Sequence, residues 1–160
     1  MNMDNITPLM QIAINKCQDA QITYEVIRLP DNLPLDVKSH IEFHRISMSQ
    51  AIPTLVFKTE NGFIVVQKRA DTKINSGKLK KLANDKSLNF ASPEELKQMQ
   101  AEGGIVPLTG LDLPYYTDQL VLENDNVYGG SGSKYYALKM NSKDLIKINQ
   151  PVIGEFTEII

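Results

Sequence analysis

The chain has 160 residues, 42% of them hydrophobic, enough for one packed core without covalent staples. With 17 basic and 19 acidic residues the net charge is -2, which excludes a protein that gathers nucleic acid by overall charge; a polyanion would need a local patch. The lone cysteine, Cys17, excludes an internal disulfide; the N-terminus has no basic-then-apolar leader, and no apolar run nears the ~20 residues of a bilayer span. These features predict one cytoplasmic domain over residues 1–160, with no membrane partner.

The first element is a helix. Thr7 has the hydroxyl of an N-cap, Pro8 suits N1 because its missing N–H costs nothing there, and Leu9, Ala13 and Cys17 recur at four-residue spacing. Ile22–Ile27 is rich in β-branched and aromatic residues and reads as a strand, broken by the prolines at 30 and 34. Residues 35–51 are ambiguous: Leu35, Ile41, Ile46 and Ala51 fit a loose helix, while Ile41 and Phe43 alternate as in a short strand. Thr54–Lys58 and Phe63–Gln67 are apolar strands around Glu60-Asn61-Gly62, a hairpin signal because Asn and Gly tolerate positive φ.

A helix is predicted over 76–84. A second runs from the capping box of Ser92 and Glu95 to about Ala101. Gly103–Gly110 reads as an ordered loop or edge segment. Strands are expected near 115–117, 120–122, 126–128 and 135–140, a capped helix from Asn141, and a final strand within 150–160. Strand and helix signals mixed to the end argue for an α+β fold.

Several residues carry chemistry as types. His40 and His44, four apart, share one face if that stretch is helical, but Ile41 stands where a zinc-protease motif has glutamate, and no third ligand is evident. Two partly exposed histidines and no metal are expected. Cys17, on an apolar helix face with no spaced histidine partner, reads as a core residue. Gly129-Gly130-Ser131-Gly132-Ser133-Lys134 fails both the phosphate-loop and dinucleotide patterns; it is either a tight turn or a place where backbone approaches a ligand. The Gly103-Gly104-Ile105-Val106-Pro107 segment can aim backbone N–H groups at one point, as an oxyanion hole requires, and equally reads as a C-cap followed by a loop. Lys68, Arg69, Lys73, Lys78, Lys80, Lys81 and Lys86 form the most basic stretch, either a phosphate-contacting patch or a solvated helix face.

Taken in order, Ile22-Thr-Tyr-Glu25, Thr54-Leu-Val-Phe57, Lys78-Leu-Lys-Lys-Leu82, Ala91-Ser-Pro-Glu-Glu-Leu96, Gly103-Gly-Ile-Val-Pro107, Asp118 and Val127-Tyr-Gly-Gly-Ser-Gly132 resemble the YbaK/prolyl-tRNA-editing domain family over roughly residues 20–146. The resemblance implies an α+β fold, a mixed and partly barrel-like β-sheet surrounded by helices. It implies a trans-acting aminoacyl-tRNA deacylase that hydrolyses the ester of a mischarged tRNA, without a cofactor. Its partners would be tRNA and, secondarily, an aminoacyl-tRNA synthetase. By the same resemblance, Gly103, Gly104 and Pro107 position the reacting carbonyl, the terminal ribose hydroxyl helps to activate water, and Tyr24, Thr54, Asp118, Gly130, Gly132 and Ser133 form the substrate site. Two positions depart from it. Pro53 stands where the family has a lysine that holds the terminal adenosine, and proline offers neither charge nor donors. Ser133 stands where many members have a histidine. Lys58 is five residues from Pro53 and should point to the other face; Lys68 and Lys134 are the candidate replacements. The alternative implied by these departures is a weak or inactive member that binds tRNA, an aminoacyl group or a nucleotide.

Overall fold

The structure is a computed structural model that describes residues 4–101, 103 and 105–160. Five helices and ten strands lie among those residues. The helices are α1 (Pro8–Asp19), α2 (Val37–His44), α3 (Ser76–Ala83), α4 (Pro93–Gln98) and α5 (Ser142–Asn149). The strands are β1 (Tyr24–Arg28), β2 (Thr54–Thr59), β3 (Gly62–Gln67), β4 (Thr72–Ile74), β5 (Asn89–Phe90), β6 (Tyr115–Asp118), β7 (Asn126–Gly130), β8 (Tyr136–Asn141), β9 (Val152–Gly154) and β10 (Thr157–Ile159).

The main sheet is mixed, in the order β5-β2-β3-β6-β9, with antiparallel β2-β3 and β2-β5 pairs and parallel β3-β6 and β6-β9 pairs. A second, antiparallel sheet runs β1-β8-β7, and β4 pairs with β10. Ile52 N–H donates to the Tyr128 carbonyl at 2.8 Å, and Leu108 N–H to that of Gly130 at 2.9 Å. These bonds join the approach to β2, the 103–110 segment and β7. Among the described residues no sheet closes into a barrel.

Strand alternation explains why the main sheet is buried on both faces. Val56 and Val65 pack with Leu9, Val106, Leu111 and Tyr115 on one face. Phe57, Ile64 and Val66 pack with Leu79 of α3 and Phe156 on the other. Against the second sheet, Ala13 and Cys17 of α1 meet Ile52, Leu108, Leu138 and Leu145.

Local signals account for most helix starts. Thr7 Oγ1 accepts from Met10 N–H at 3.1 Å, and Asn141 Oδ1 from Lys143 N–H at 2.9 Å. Ser92 and Glu95 form the reciprocal capping box, but α4 ends at Gln98, short of Ala101. Residues 35–51 resolve into α2 and a 3-10 turn, Met48–Gln50; no residue of α2 is buried, so no apolar stripe marks it. The expected strand at 120–122 is instead a 3-10 turn, Gln119–Glu123. The Asp118 carboxylate accepts from Leu120 N–H at 3.2 Å and bends the chain there. In the β2–β3 hairpin, Thr59 faces Gly62, so Glu60 and Asn61 make the loop and only Gly62, at φ +116°, has positive φ.

Candidate functional site

A cavity of about 260 Å³ opens between α2, the approach to β2 and the end of β7. Its walls are Ala51–Thr54, Tyr128–Gly130, Gly103 with Ile105, and the inward face of α2 with His40, Ile41 and His44. Tyr136 and Ala137 of β8 and Leu29, just past β1, also line it, and Ser133 and Lys134 stand at the turn between β7 and β8. The wall is mainly aliphatic, and no carboxylate contributes among the described lining residues.

Two of the glycines are required by close approach. A Cβ on Gly130 would land on the Val106 carbonyl oxygen, and one on Gly129 on the Leu108 side chain. The 106–108 backbone therefore lies flush against β7 and presents Ile105 and Gly103 to the cavity. From the opposite side, Gln67, 0% exposed, ties that segment to β2. Its amide donates to Leu108 O at 2.8 Å and to Thr54 Oγ1 at 3.1 Å, while its oxygen accepts from Thr117 Oγ1 and Asn149 Nδ2, each at 3.4 Å. Asn149 Nδ2 also donates to Leu108 O at 2.9 Å, and Thr109 Oγ1 to Asn149 Oδ1 at 2.6 Å. Gln67 and Asn149 have no local sequence signature, because their partners are 13 to 82 residues away.

The structure brings Pro53, Thr54, Gly103, Gly130 and Ser133 to one cavity. Gly104 lies outside the described residues. Pro107 lies within the flush 106–108 segment and does not line the cavity. Gly132, at φ +94°, packs against the first turn of α1 and accepts from Thr7 Oγ1 at 2.9 Å, lining an adjoining cavity of about 580 Å³ that shares Ser133 and Lys134. Tyr24 is half-buried between the β1-β8-β7 sheet and α1, away from both cavities. Asp118, 0% exposed, accepts from Phe156 N–H at 2.9 Å as well as from Leu120, so its carboxylate braces the end of β6 rather than the cavity wall.

The polar side chains at the wall differ in what they have left to offer. The Ser133 hydroxyl donates to Asn5 O at 2.9 Å and accepts from Tyr135 N–H at 3.2 Å. Thr54 accepts from Gln67. Lys134 is exposed, its ammonium 5.2 Å from the centre of the Tyr135 ring. Lys68 points elsewhere, donating to Thr72 O at 2.6 Å and Arg69 O at 3.3 Å; Lys58 pairs with Glu95 at 3.1 Å. Of the basic stretch 68–86, no residue lines the cavity. The expected histidine pair is there: the rings are 6.3 Å apart, and burial lowers the pKa of each. The i,i+4 spacing placed both on one helix face; that the face looks into a cavity was not visible in the sequence. Cys17 is buried in the core, where burial pushes its thiol up to about 11. Among the described residues no three His, Cys, Asp or Glu side chains cluster as metal ligands.

A mixed sheet joined to a second antiparallel sheet, with a glycine-flanked loop laid along β7 to frame one apolar cavity, defines the class of fold. The aminoacyl-tRNA editing domain model matches residues 36–148, and the chain belongs to that family. It is 29% identical over 139 residues to the proline--tRNA ligase of Bacillus cytotoxicus, covering 84% of this chain and 24% of the ligase. To the Thermotoga maritima proline--tRNA ligase it is 31% identical over 106 residues, 64% of this chain and 18% of that one. The chain thus spans a quarter or less of these ligases. The crystal structure of a candidate trans-editing enzyme for prolyl tRNA synthetase superposes with a TM-score of 0.81 at 20% identity, over 96% of this chain and 99% of the other, which shows the shared fold.

Proposed function

We propose that this protein is a trans-acting aminoacyl-tRNA deacylase, hydrolysing the ester of a mischarged tRNA in translation quality control, with a variant site in which Pro53 replaces the family lysine. The observation that carries this reading is the cavity itself. In a chain of the editing family, one apolar space is framed by Gly103 and Ile105 and by Pro53 and Thr54, and Gln67 ties Thr54 to Leu108, three residues past Ile105. Water attacks the ester carbonyl carbon and the terminal ribose oxygen leaves. The Gly103–Pro107 backbone positions the carbonyl, and Thr54, Gly130, Gly132 and Ser133 shape the substrate side. Positioning and electrostatics supply much of such a barrier reduction without a protein nucleophile. The reaction needs no cofactor, the protein works in the cytoplasm, and its partners are the mischarged tRNA and a synthetase that supplies it.

Incubation with a panel of mischarged tRNAs tests the proposal. At least one aminoacyl-tRNA should be hydrolysed faster than in buffer; no release from any of them overturns it. Neighbouring amino acids in the panel differ by as little as one methylene, worth only ~1–3 kcal/mol in a pocket, so the panel must include several aliphatic and small polar ones.

A second reading has its own observation. Pro53 lies at the cavity wall and brings no cation there, as expected of a binding module that has lost turnover. Pro53→Lys separates the two. Deacylation gained from an inactive parent supports the binding module; an active parent excludes it.

A further inference from the structure

The substrate of the reaction just described has two unlike parts joined at the ester: an amino acid, and the ribose of a terminal nucleotide with its phosphate. The molecule has two unlike cavities that share one wall. Leu35, Gly103, Ile105, Ser133 and Lys134 line both the cavity of about 260 Å³ and the adjoining one of about 580 Å³. Beyond that wall the smaller cavity is mainly aliphatic, with Ile41, Ile46, Ile52 and Ala137 among its lining. The larger is completed by Asn5–Pro8, Gly132 and Tyr135. Its volume lies within the ~300–1,000 Å³ of ordinary small-molecule sites, and the smaller one falls just below that range.

The shared wall carries a positive charge. Lys134 is exposed there and is the one lysine or arginine among the described residues lining either cavity. Its ammonium lies 5.2 Å from the centre of the Tyr135 ring, and the attraction of a cation to a ring face gives this long side chain a preferred station. The guanidinium of Arg28 lies 5.1 Å from the centre of the same ring, but it is paired with Asp31 at 2.6 Å. Lys134 makes no ion pair among the described residues. A lysine ammonium is a compact point charge with three donors, a chemistry suited to a phosphate oxygen.

On the reading that the chain is a deacylase, we propose that the larger cavity takes the terminal nucleotide of the tRNA, with its phosphate on Lys134, and that the smaller cavity takes the amino-acid side chain. The ester then lies across the shared wall at Gly103 and Ile105, the segment that positions the carbonyl. Lys134 is a binding residue in this arrangement: it holds the nucleotide from the β7–β8 turn and takes part in no bond-making step. It supplies a charge that Pro53 does not bring to the opposite segment of the smaller cavity.

The test is equilibrium binding of uncharged tRNA, intact or lacking its terminal nucleotide and that nucleotide's phosphate, at several salt concentrations. The parent should bind the intact tRNA more tightly. One phosphate contact on a single strand contributes about 0.7 to the slope of log affinity against log salt. Lys134→Gln should lower the slope for intact tRNA by about that amount, weaken its binding roughly 3–10-fold, and leave the truncated tRNA unchanged. Lys134→Arg should keep the slope. Lys143→Gln, exposed on α5 and outside both cavities, should affect the two tRNAs equally. A parent that does not distinguish the two tRNAs, or a Lys134→Gln protein that binds intact tRNA within about twofold of the parent or loses the same affinity for both, overturns the assignment. Hydrolysis is not needed for this readout. Binding that depends on both Lys134 and the terminal nucleotide, in a protein that deacylates no mischarged tRNA, supports the nucleotide site and overturns the deacylase alone.

Discussion

Pro53 brings neither a charged side chain nor a backbone N–H to the cavity wall. Of the two lysines considered for that place, Lys68 is bound to carbonyls at Arg69 and Thr72, and Lys134 lines the cavity from the β7–β8 turn. The histidines give the residue scale its prediction. Both have a folded-state pKa below the ordinary 6.5, chiefly from burial, with the His40 charge adding to the effect at His44. The unfolded chain therefore binds more protons just below pH 6.5. Their contribution to stability is fully present above that value and is lost as pH falls through the folded-state pKa. Urea midpoints measured from pH 7.5 down to pH 5 should decline, and the double variant His40→Gln, His44→Gln should decline less steeply. Equal slopes would mean that the two rings are not held neutral by the fold.

At the scale of elements, the contact between the 106–108 segment and β7 fixes the cavity's shape. It depends on the absence of two side chains. Gly130→Ala drives a methyl group into the Val106 carbonyl, a backbone atom that cannot move without moving the loop. Gly129→Ala meets the buried Leu108 side chain first and comes to 3.0 Å from the Ile52 carbonyl oxygen. Gly130→Ala should therefore destabilise by about 1–3 kcal/mol and Gly129→Ala by less, read from urea unfolding. The reverse order would show that the loop is not seated on β7 through its backbone. The helix caps were legible in the sequence for the opposite reason. The Thr7–Met10 and Ser92–Glu95 bonds span three residues, so the residues that make them stand side by side in the chain. The strand expected at 120–122 failed because a local competitor, the Asp118 carboxylate, takes the Leu120 amide that the strand needs.

Across the whole molecule, Gln67 and Asn149 connect β3, β2, β6, the loop after Gly103 and the end of α5. Gln67→Ala leaves the buried hydroxyl of Thr117 and the half-buried one of Thr54 without that partner, which should cost about 1–3 kcal/mol. Because Asn149 shares both the Gln67 oxygen and the Leu108 carbonyl, the two sites should not be additive. A double-mutant cycle with Asn149→Ala should show about 0.5 kcal/mol or more of coupling in urea unfolding. Strict additivity would mean that the two amides do not act as one brace.

The ordered segments of the sequence carried the resemblance to the family, and by itself the sequence determined the strands Thr54–Lys58 and Tyr115–Thr117 and the capped starts of α1, α4 and α5. These rest on local rules of spacing, capping and β-branching, which act between neighbours in the chain. Only the tertiary structure decided that Asp118 braces β6 and that Ser133 is tied to the backbone at Asn5. It alone showed that His40 and His44 share a cavity with Pro53 and Gly103. Those relations join residues tens of positions apart, brought together by sheet pairing and burial, and no local pattern encodes them.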